Sequence, residues 1–284
     1  MDNSSFRLFQ AVRSDESEEK TNRPFIKVRF ANKVENKREC TTGSCSLTDE
    51  QRLLSRLLQG YSKYTRPVHN ASHPVDVQVG ITLTQIFDVD ERNQVLTINV
   101  WLDQEWHDEK LKWDPKEYNG LTVLRIPCAL LWLPDIVLYN SASDYNEKYM
   151  EALAMVSNDG TVFWPPIVKL RSTCLMDVTY FPFDDQICKL KIGSWAYDGH
   201  QVDVKILNRS NSIDLSLFVE NGEWELVSAR AVRNVVVYPC CDTPYPDVTF
   251  KLHIRRRTTY YLYNVIIPSV NAVQSGSVGV LDAP

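Results

Sequence analysis

The sequence predicts an all-β protein, an antiparallel sandwich of about ten strands entered through one N-terminal α-helix. Three features carry this expectation. From Val75 onward, apolar residues alternate with period two, the mark of half-buried strands. Short alternating runs then recur at turn-punctuated intervals with no helical pattern between them, which argues against a βαβ arrangement. A helical stripe appears once, ahead of the first strand.

Residues 1–46 are charged and aperiodic and read as a flexible extension. Cys40 and Cys45 within it could pair locally. The helix follows. Thr48 and Gln51 form a capping box, Asp49 and Glu50 occupy the first turn, and Gly60 ends the helix. Leu53, Leu54, Leu57, Leu58 and Tyr61 fall on one stripe, so the helix should lie on the domain. Val75, Val77, Val79, Ile81 and Leu83 then alternate as the first strand. DVDERNQ makes the turn, and Leu96, Ile98, Val100 and Leu102 give the returning strand its inward face. Further strands are expected at 121–126, 136–139, 153–156, 161–164, 174–181, 187–192, 202–207, 224–228, 231–237 and 247–255. No internal repeat or low-complexity tract is present.

Composition narrows the function. A hydrophobic fraction of 44% and a mean hydropathy of -0.28 suit a globular domain with a real core. The formal charge of -5 gives no reason to expect nucleic acid as a partner. Seven cysteines and sequons at Asn3, Asn70 and Asn208 favour an oxidising compartment. Asn70, in HNAS ahead of a strand, is the expected glycan site. The N-terminal residues show no apolar leader. Near the end, the longest apolar run is Val265–Ile267, against roughly twenty residues for a span. A soluble fragment without signal peptide or membrane span is therefore expected. The histidines (His69, His73, His107, His200, His253) show no metal spacing, and no nucleophile motif or phosphate loop appears. Neither an enzyme nor a cofactor is expected.

Two stretches carry chemistry. Cys174 and Cys188 bracket thirteen residues with Phe181-Pro182-Phe183-Asp184 near the middle. A disulfide closing such a loop stabilises by roughly 3 kcal/mol, and an X-Pro bond between aromatics can hold the cis form. Either this is a plain structural disulfide, or its apolar tip presses against something outside the domain. The second feature is a set of aromatics in outward phase. Trp101 alternates with Thr97, Asn99 and Asp103, opposite the core face of its strand. Trp195 shares phase with Lys189 and Lys191. Tyr139 ends a strand, and Tyr238 and Tyr245 flank a turn containing Cys240 and Cys241. These are either scattered surface rings or a cage for a quaternary ammonium, each face contributing roughly 0.5–2 kcal/mol. The adjacent cysteines are as ambiguous. Consecutive Cα atoms lie about 3.8 Å apart, below the usual disulfide range of about 4.4–6.8 Å. A bond between them would be strained, and the alternatives are pairing elsewhere, for instance with Cys128, or two thiols.

Cysteine, thirteen residues, cysteine around FPFD resembles the signature loop of the pentameric Cys-loop ligand-gated ion channels, nicotinic acetylcholine receptor α-type subunits in particular. The resemblance runs from about Leu47 to Pro268 and implies an immunoglobulin-like sandwich over 47–256. WLPDIVLYN, GSWAYDG and YPCCDTPYPDVTF resemble the three principal binding segments, which would make Tyr139, Trp195, Tyr238, Cys240, Cys241 and Tyr245 the principal face. NVWLDQEW is similar to a complementary segment, with Trp101 given to a neighbour's pocket; a second such segment would fall near Phe163 and Trp164. The resemblance also implies a vicinal Cys240–Cys241 bond and a Cys174–Cys188 bond. Phe181, Pro182, Phe183, Asp184 and Arg256 would couple binding to a cation pore, Arg256 by pairing with acids. The implied partners are acetylcholine or a related quaternary ammonium agonist and homologous subunits in a pentamer, on the extracellular, postsynaptic side of the plasma membrane. RRRTTYYLYNVIIPSV resembles the entry to a first membrane helix, so 257–284 reads as a truncated start of that region. There NAVQSGSVGVLDAP departs from the family's apolar pattern. A soluble ligand-buffering protein of similar fold and a redox sensor at Cys240/Cys241 are the other readings.

Overall fold

The capping box read in the sequence starts α1 (Asp49–Leu58): the Gln51 amide donates to Thr48 Oγ1 and the Thr48 amide to Gln51 Oε1, both at 3.3 Å. Leu53 and Leu57 are buried beneath it, and Gly60 takes the positive φ of +76° that lets the chain turn away. The structure, a computed structural model, describes residues 47–143, 150–207, 213–239 and 242–280, with side chains to 275. The 1–46 extension with Cys40 and Cys45, Asn208, and the pair Cys240–Cys241 lie outside the described residues.

Eleven strands follow among the described residues: β1 (Val75–Asp90), β2 (Val95–His107), β3 (Val123–Pro127), β4 (Ile136–Leu138), β5 (Leu153–Ser157), β6 (Thr161–Trp164), β7 (Ile167–Thr173), β8 (Asp185–Ser194), β9 (Val202–Ile206), β10 (Trp224–Val237) and β11 (Pro244–Arg256). They form two sheets. One has seven strands in the order β3-β5-β6-β2-β1-β9, with β7 also pairing to β2; the other runs β10-β11-β8-β4. One core cluster takes Val77, Val79, Ile81 and Leu83 of β1, Ile98, Val100 and Leu102 of β2, Leu190 and Ile192 of β8, and Phe250, Leu252 and Ile254 of β11. Each large side chain removed from water there contributes roughly 1.5–3 kcal/mol. The all-β sandwich with an N-terminal helix is the fold of this chain.

Three details differ from the expected strand map. The strand expected at 174–181 is not there; it precedes, as β7, where Val168, Leu170 and Ser172 point inward between Lys169 and Arg171. Residues 175–184 instead make successive turns: the Asp177 carboxylate accepts from the Thr179 amide at 2.9 Å, Phe181 N donates to Val178 O, and Phe183 N to Tyr180 O. Local side-chain-to-backbone bonds prevail there over the β preference of VTYF. Second, the runs 224–228 and 231–237 are one strand, β10, bulged between Leu226 and Ser228 and paired throughout with β11. Third, β9 pairs with β1 in parallel, Val75 opposite Val202 through Val79 opposite Ile206. It reaches β1 by crossing over from β8 in the other sheet, and a crossover can deliver a parallel strand where a tight hairpin cannot. The C-terminal segment is helical: a turn at Thr259–Tyr261, a π-helical stretch at Leu262–Ile266, and α2 (Ile267–Val280). Pro268 has no N–H to continue an α ladder, and the stretch before it is π rather than α. No helix among the described residues is long and apolar enough to cross a membrane.

Cys174 and Cys188 are joined, with Cα atoms 5.1 Å apart. Because Cys174 follows β7 and Cys188 lies within β8, the bond ties one sheet to the other at the start of the 175–184 turns. Cys128 is a buried free thiol. Cys174→Ser is expected to lower folding stability by about 3 kcal/mol, the loop-closure entropy of the lost cross-link. Urea unfolding of oxidised protein checks this; a loss under about 1 kcal/mol would contradict it.

Candidate functional site

At one end of the four-stranded sheet, β4, β8 and the β10–β11 hairpin bring four aromatics together. Trp195 follows β8 on a tight turn whose anchor is Asp135. The Asp135 carboxylate accepts from Ser194 Oγ at 2.5 Å and from the Ala196 amide at 2.6 Å, while its carbonyl accepts from the Trp195 amide at 3.2 Å. The turn is thus fixed by backbone and carboxylate, and the indole projects 70% exposed. Tyr139 continues β4; its hydroxyl donates to Ser194 O at 2.5 Å and its ring meets Trp195 edge-on, centroids 6.2 Å apart. Gly193 is required beneath it, since a Cβ there would lie 2.8 Å from the Tyr139 hydroxyl. Burial first, then the neighbouring Tyr238 and Asp247, push the Tyr139 phenol up to about 12. Tyr238, just after β10, and Tyr245, on β11, have their ring centroids 5.7 Å apart.

A cation already sits among these rings. Lys191 Nζ is 5.3 Å from the Tyr139 centroid and 5.7 Å from that of Tyr238, donates to the Tyr238 hydroxyl at 3.2 Å, and faces the buried Asp247 at 3.4 Å. Asp247 is fixed in turn by Asn234 Nδ2 and Thr249 Oγ1, each donating at 2.9 Å. Burial disfavours the Lys191 charge, but Tyr238 and Asp247 outweigh it and raise the ammonium above its usual range. The Tyr238 hydroxyl and the Asp247 carboxylate therefore support a positive charge in this corner.

The opposite end is organised by one guanidinium. Arg256, at the end of β11, is 2% exposed. Its Nε and Nη2 donate to Asp184 at 2.8 and 3.2 Å, Nη2 to Glu91 at 2.6 Å and Nη1 to Glu223 at 3.2 Å. The cation stacks on Trp224 at 4.2 Å and approaches Phe181 at 5.0 Å. Phe181 in turn meets Tyr261 edge-on at 4.9 Å, and the Phe181–Pro182 peptide is cis. Burial pushes the Asp184 carboxyl up, but hydrogen bonds from Arg256 and Gln186 outweigh it and hold the group below the usual carboxylate range. Tyr180 and Phe183, by contrast, are 76% and 66% exposed. One side of the disulfide loop is thus pinned to β11 while its apolar tip faces outward.

Residues 50–258 match the neurotransmitter-gated ion-channel ligand binding domain. The chain belongs to that family. Among its relatives, the human neuronal acetylcholine receptor subunit alpha-9 is 47% identical over 220 residues, 78% of this chain and 46% of the relative. The human neuronal acetylcholine receptor subunit alpha-4 is 46% identical over 77% of this chain and 35% of its own length. An acetylcholine receptor subunit alpha-like protein of Manduca sexta is 42% identical over 80% of this chain and 45% of its own length. The chain thus spans less than half the length of these relatives.

Within this ligand-binding domain, Trp101 stands in the other sheet from the four rings. It is 37% exposed and lies between Thr82 on β1 and Ile167 on β7, the latter 52% exposed. Trp164 is a core residue, its indole donating to Ala152 O at 3.2 Å, and Phe163 lies between Glu105 and Met155. Asn70 is exposed in the turn before β1. The sequence marks out the rings but not their supports: it gives no role to Asp135, Asp247, Glu91 or Glu223, and Lys191 marks only the phase of its strand. The one available signal was Asp135 inside WLPDIVLYN, a carboxylate between apolar residues with no charged neighbour in sequence.

Proposed function

We propose that Tyr139, Trp195, Tyr238 and Tyr245 form the principal face of a site for acetylcholine or a related quaternary ammonium ion. A homologous subunit alongside, in a pentamer at the extracellular side of a plasma membrane, completes the site with its own Trp101. The observation that carries this reading is Lys191 between the rings of Tyr139 and Tyr238. A quaternary ammonium donates no strong hydrogen bond, so aromatic faces are the means left to hold it, and each desolvated face is worth about 2 kcal/mol. The names of the alpha-9 and alpha-4 relatives agree with this ligand. Cys240 and Cys241, at the tip of the hairpin bearing Tyr238 and Tyr245, would form a vicinal disulfide that stiffens the cap. Phe181, Pro182, Phe183, Asp184 and Arg256 would transmit movement of the cap to a cation pathway entered after residue 256. Asn70 would carry a glycan.

Charge is the test. Acetylcholine and its uncharged carbon isostere 3,3-dimethylbutyl acetate have the same shape, so binding of the full chain assembled with its neighbours is expected to favour acetylcholine by at least about thirtyfold, or roughly 2 kcal/mol. Calorimetric titration with both esters gives the ratio; equal affinities would remove the cation site. The double change Cys240→Ser, Cys241→Ser is expected to weaken acetylcholine binding while leaving the melting temperature nearly unchanged, because an adjacent pair closes almost no chain.

A further inference from the structure

β9 is where the two sheets meet. It extends the seven-stranded sheet by pairing with β1, and it packs against both β10 and β11. From β10, Arg233 reaches across to it: Nε donates to Val204 O at 2.8 Å and Nη2 to the Asp203 carboxylate at 2.6 Å. On the same strand Lys205 contacts Asp203 at 3.5 Å and Asp76 of β1 at 2.7 Å. Four groups of alternating charge, Asp76, Lys205, Asp203 and Arg233, thereby connect β1 through β9 to the hairpin.

The position of this bridge matters more than its strength. Pairing of β11 with β8 ends at Asp247 opposite Gly193. Beyond that level Pro244, Tyr245 and Pro246 have β10 as their sole ladder partner, and the one further backbone tie among the described residues is the Gly199 amide donating to Pro244 O at 2.7 Å. Arg233 lies opposite Val248, one residue below that limit, and five residues before Tyr238, roughly 17 Å of extended strand. The flap that carries Tyr238 and Tyr245 thus loses its sheet support where the Arg233 contacts attach it to β9. We propose that Arg233, held by Asp203 and the Val204 carbonyl, is a positioning residue that anchors the pivot of the hairpin and sets how long the flap stays over a bound cation. This rests on the cation-site reading above. It adds a determinant of ligand residence that touches no ligand.

A partly exposed ion pair of this kind adds little to folding stability, so the effect should appear in kinetics. Stopped-flow tryptophan fluorescence of the full chain, assembled with its neighbours and mixed with acetylcholine, separates association from dissociation. Arg233→Ala is expected to speed dissociation about three- to tenfold, with association and binding capacity unchanged. Asp203→Asn keeps the Val204 bond and should give a smaller increase. The double variant should do no more than Arg233→Ala, because both changes act on one contact. If Arg233→Ala folds poorly, Asp203→Asn carries the test alone. Wild-type dissociation rates in the variants, or reduced capacity with an unchanged rate, would overturn the latch. Binding by wild type together with unchanged variant rates overturns the latch alone, whereas absence of acetylcholine binding by wild type removes the site reading and the latch with it.

Discussion

Arg256→Ala is expected to lower folding stability by about 3–5 kcal/mol at neutral pH, a range set by leaving a buried carboxylate without its cation. Both side chains are out of water, at 0% and 1% exposure for Arg256 and Asp184. Glu91 and Glu223 are partly solvated at 34% and 51%, so they lose less. Arg256→Lys should retain part of the stability, since an ammonium keeps the charge but cannot span Asp184 with a planar fork. The acid limb of the stability curve gives an independent check. In the wild type Asp184 is held below its usual value. Its contribution is therefore complete above the unfolded carboxyl value of about pH 4 and fades as pH falls through the folded value. In the alanine variant burial remains the largest influence on Asp184, opposed by the Gln186 bond and a backbone hydrogen bond, and burial favours its protonated form. The deficit of the variant should therefore shrink below pH 4. Urea unfolding of both proteins at pH 7 and pH 3 tests this; a deficit under about 1 kcal/mol at pH 7, or one that grows in acid, would mean that Arg256 does not hold the disulfide loop.

How much of this could be read without coordinates follows from the range of the interactions. The alternation Val75–Leu83 and the capping box at Thr48 are local, and both appear where the sequence puts them. The exposed phase of Trp101 is equally local, because parity along a strand needs no partner. The strand at 167–173 was hidden because its outward positions carry Lys169 and Arg171, while LMDVTYF downstream has stronger β character but folds into turns around the Asp177 side chain. The supports of the site are non-local. Asp247 reaches Lys191 only because β11 pairs with β8 in one register, and a single-residue slip would turn one of them to the other face. Glu91 and Glu223 meet at Arg256 from the ends of two different sheets. Nothing in their own neighbourhoods marks them off from other surface acids. Rings that face a partner announce themselves by exposure; the charges that place those rings do so only after folding.

Trp195→Ala is expected to reduce affinity for acetylcholine by about 10²–10³-fold, or roughly 3–4 kcal/mol. The magnitude combines a desolvated cation–π interaction with the removal of a large interfacial side chain. Trp195→Phe keeps an aromatic face of smaller area and weaker quadrupole, and should cost about tenfold. The fold should lose little stability in either change. The indole is 70% exposed, and the turn that carries it is held by Asp135 and the backbone rather than by the ring. Within the chain, the alanine variant gives up the edge-on approach to Tyr139, worth about 0.5–1.5 kcal/mol. Melting temperature therefore separates the two ways in which binding could disappear. An alanine variant that melts within a few degrees of wild type and fails to bind acetylcholine places Trp195 at the cation. One that melts normally and binds with wild-type affinity would place the cation elsewhere. Lys191 offers a further control within the same corner. Its ammonium lies against the rings of Tyr139 and Tyr238 rather than the indole, so the shift of its titration between wild type and Trp195→Ala, followed by NMR, should be small. A large shift would mean that the indole supports the resident cation of the site rather than the incoming one.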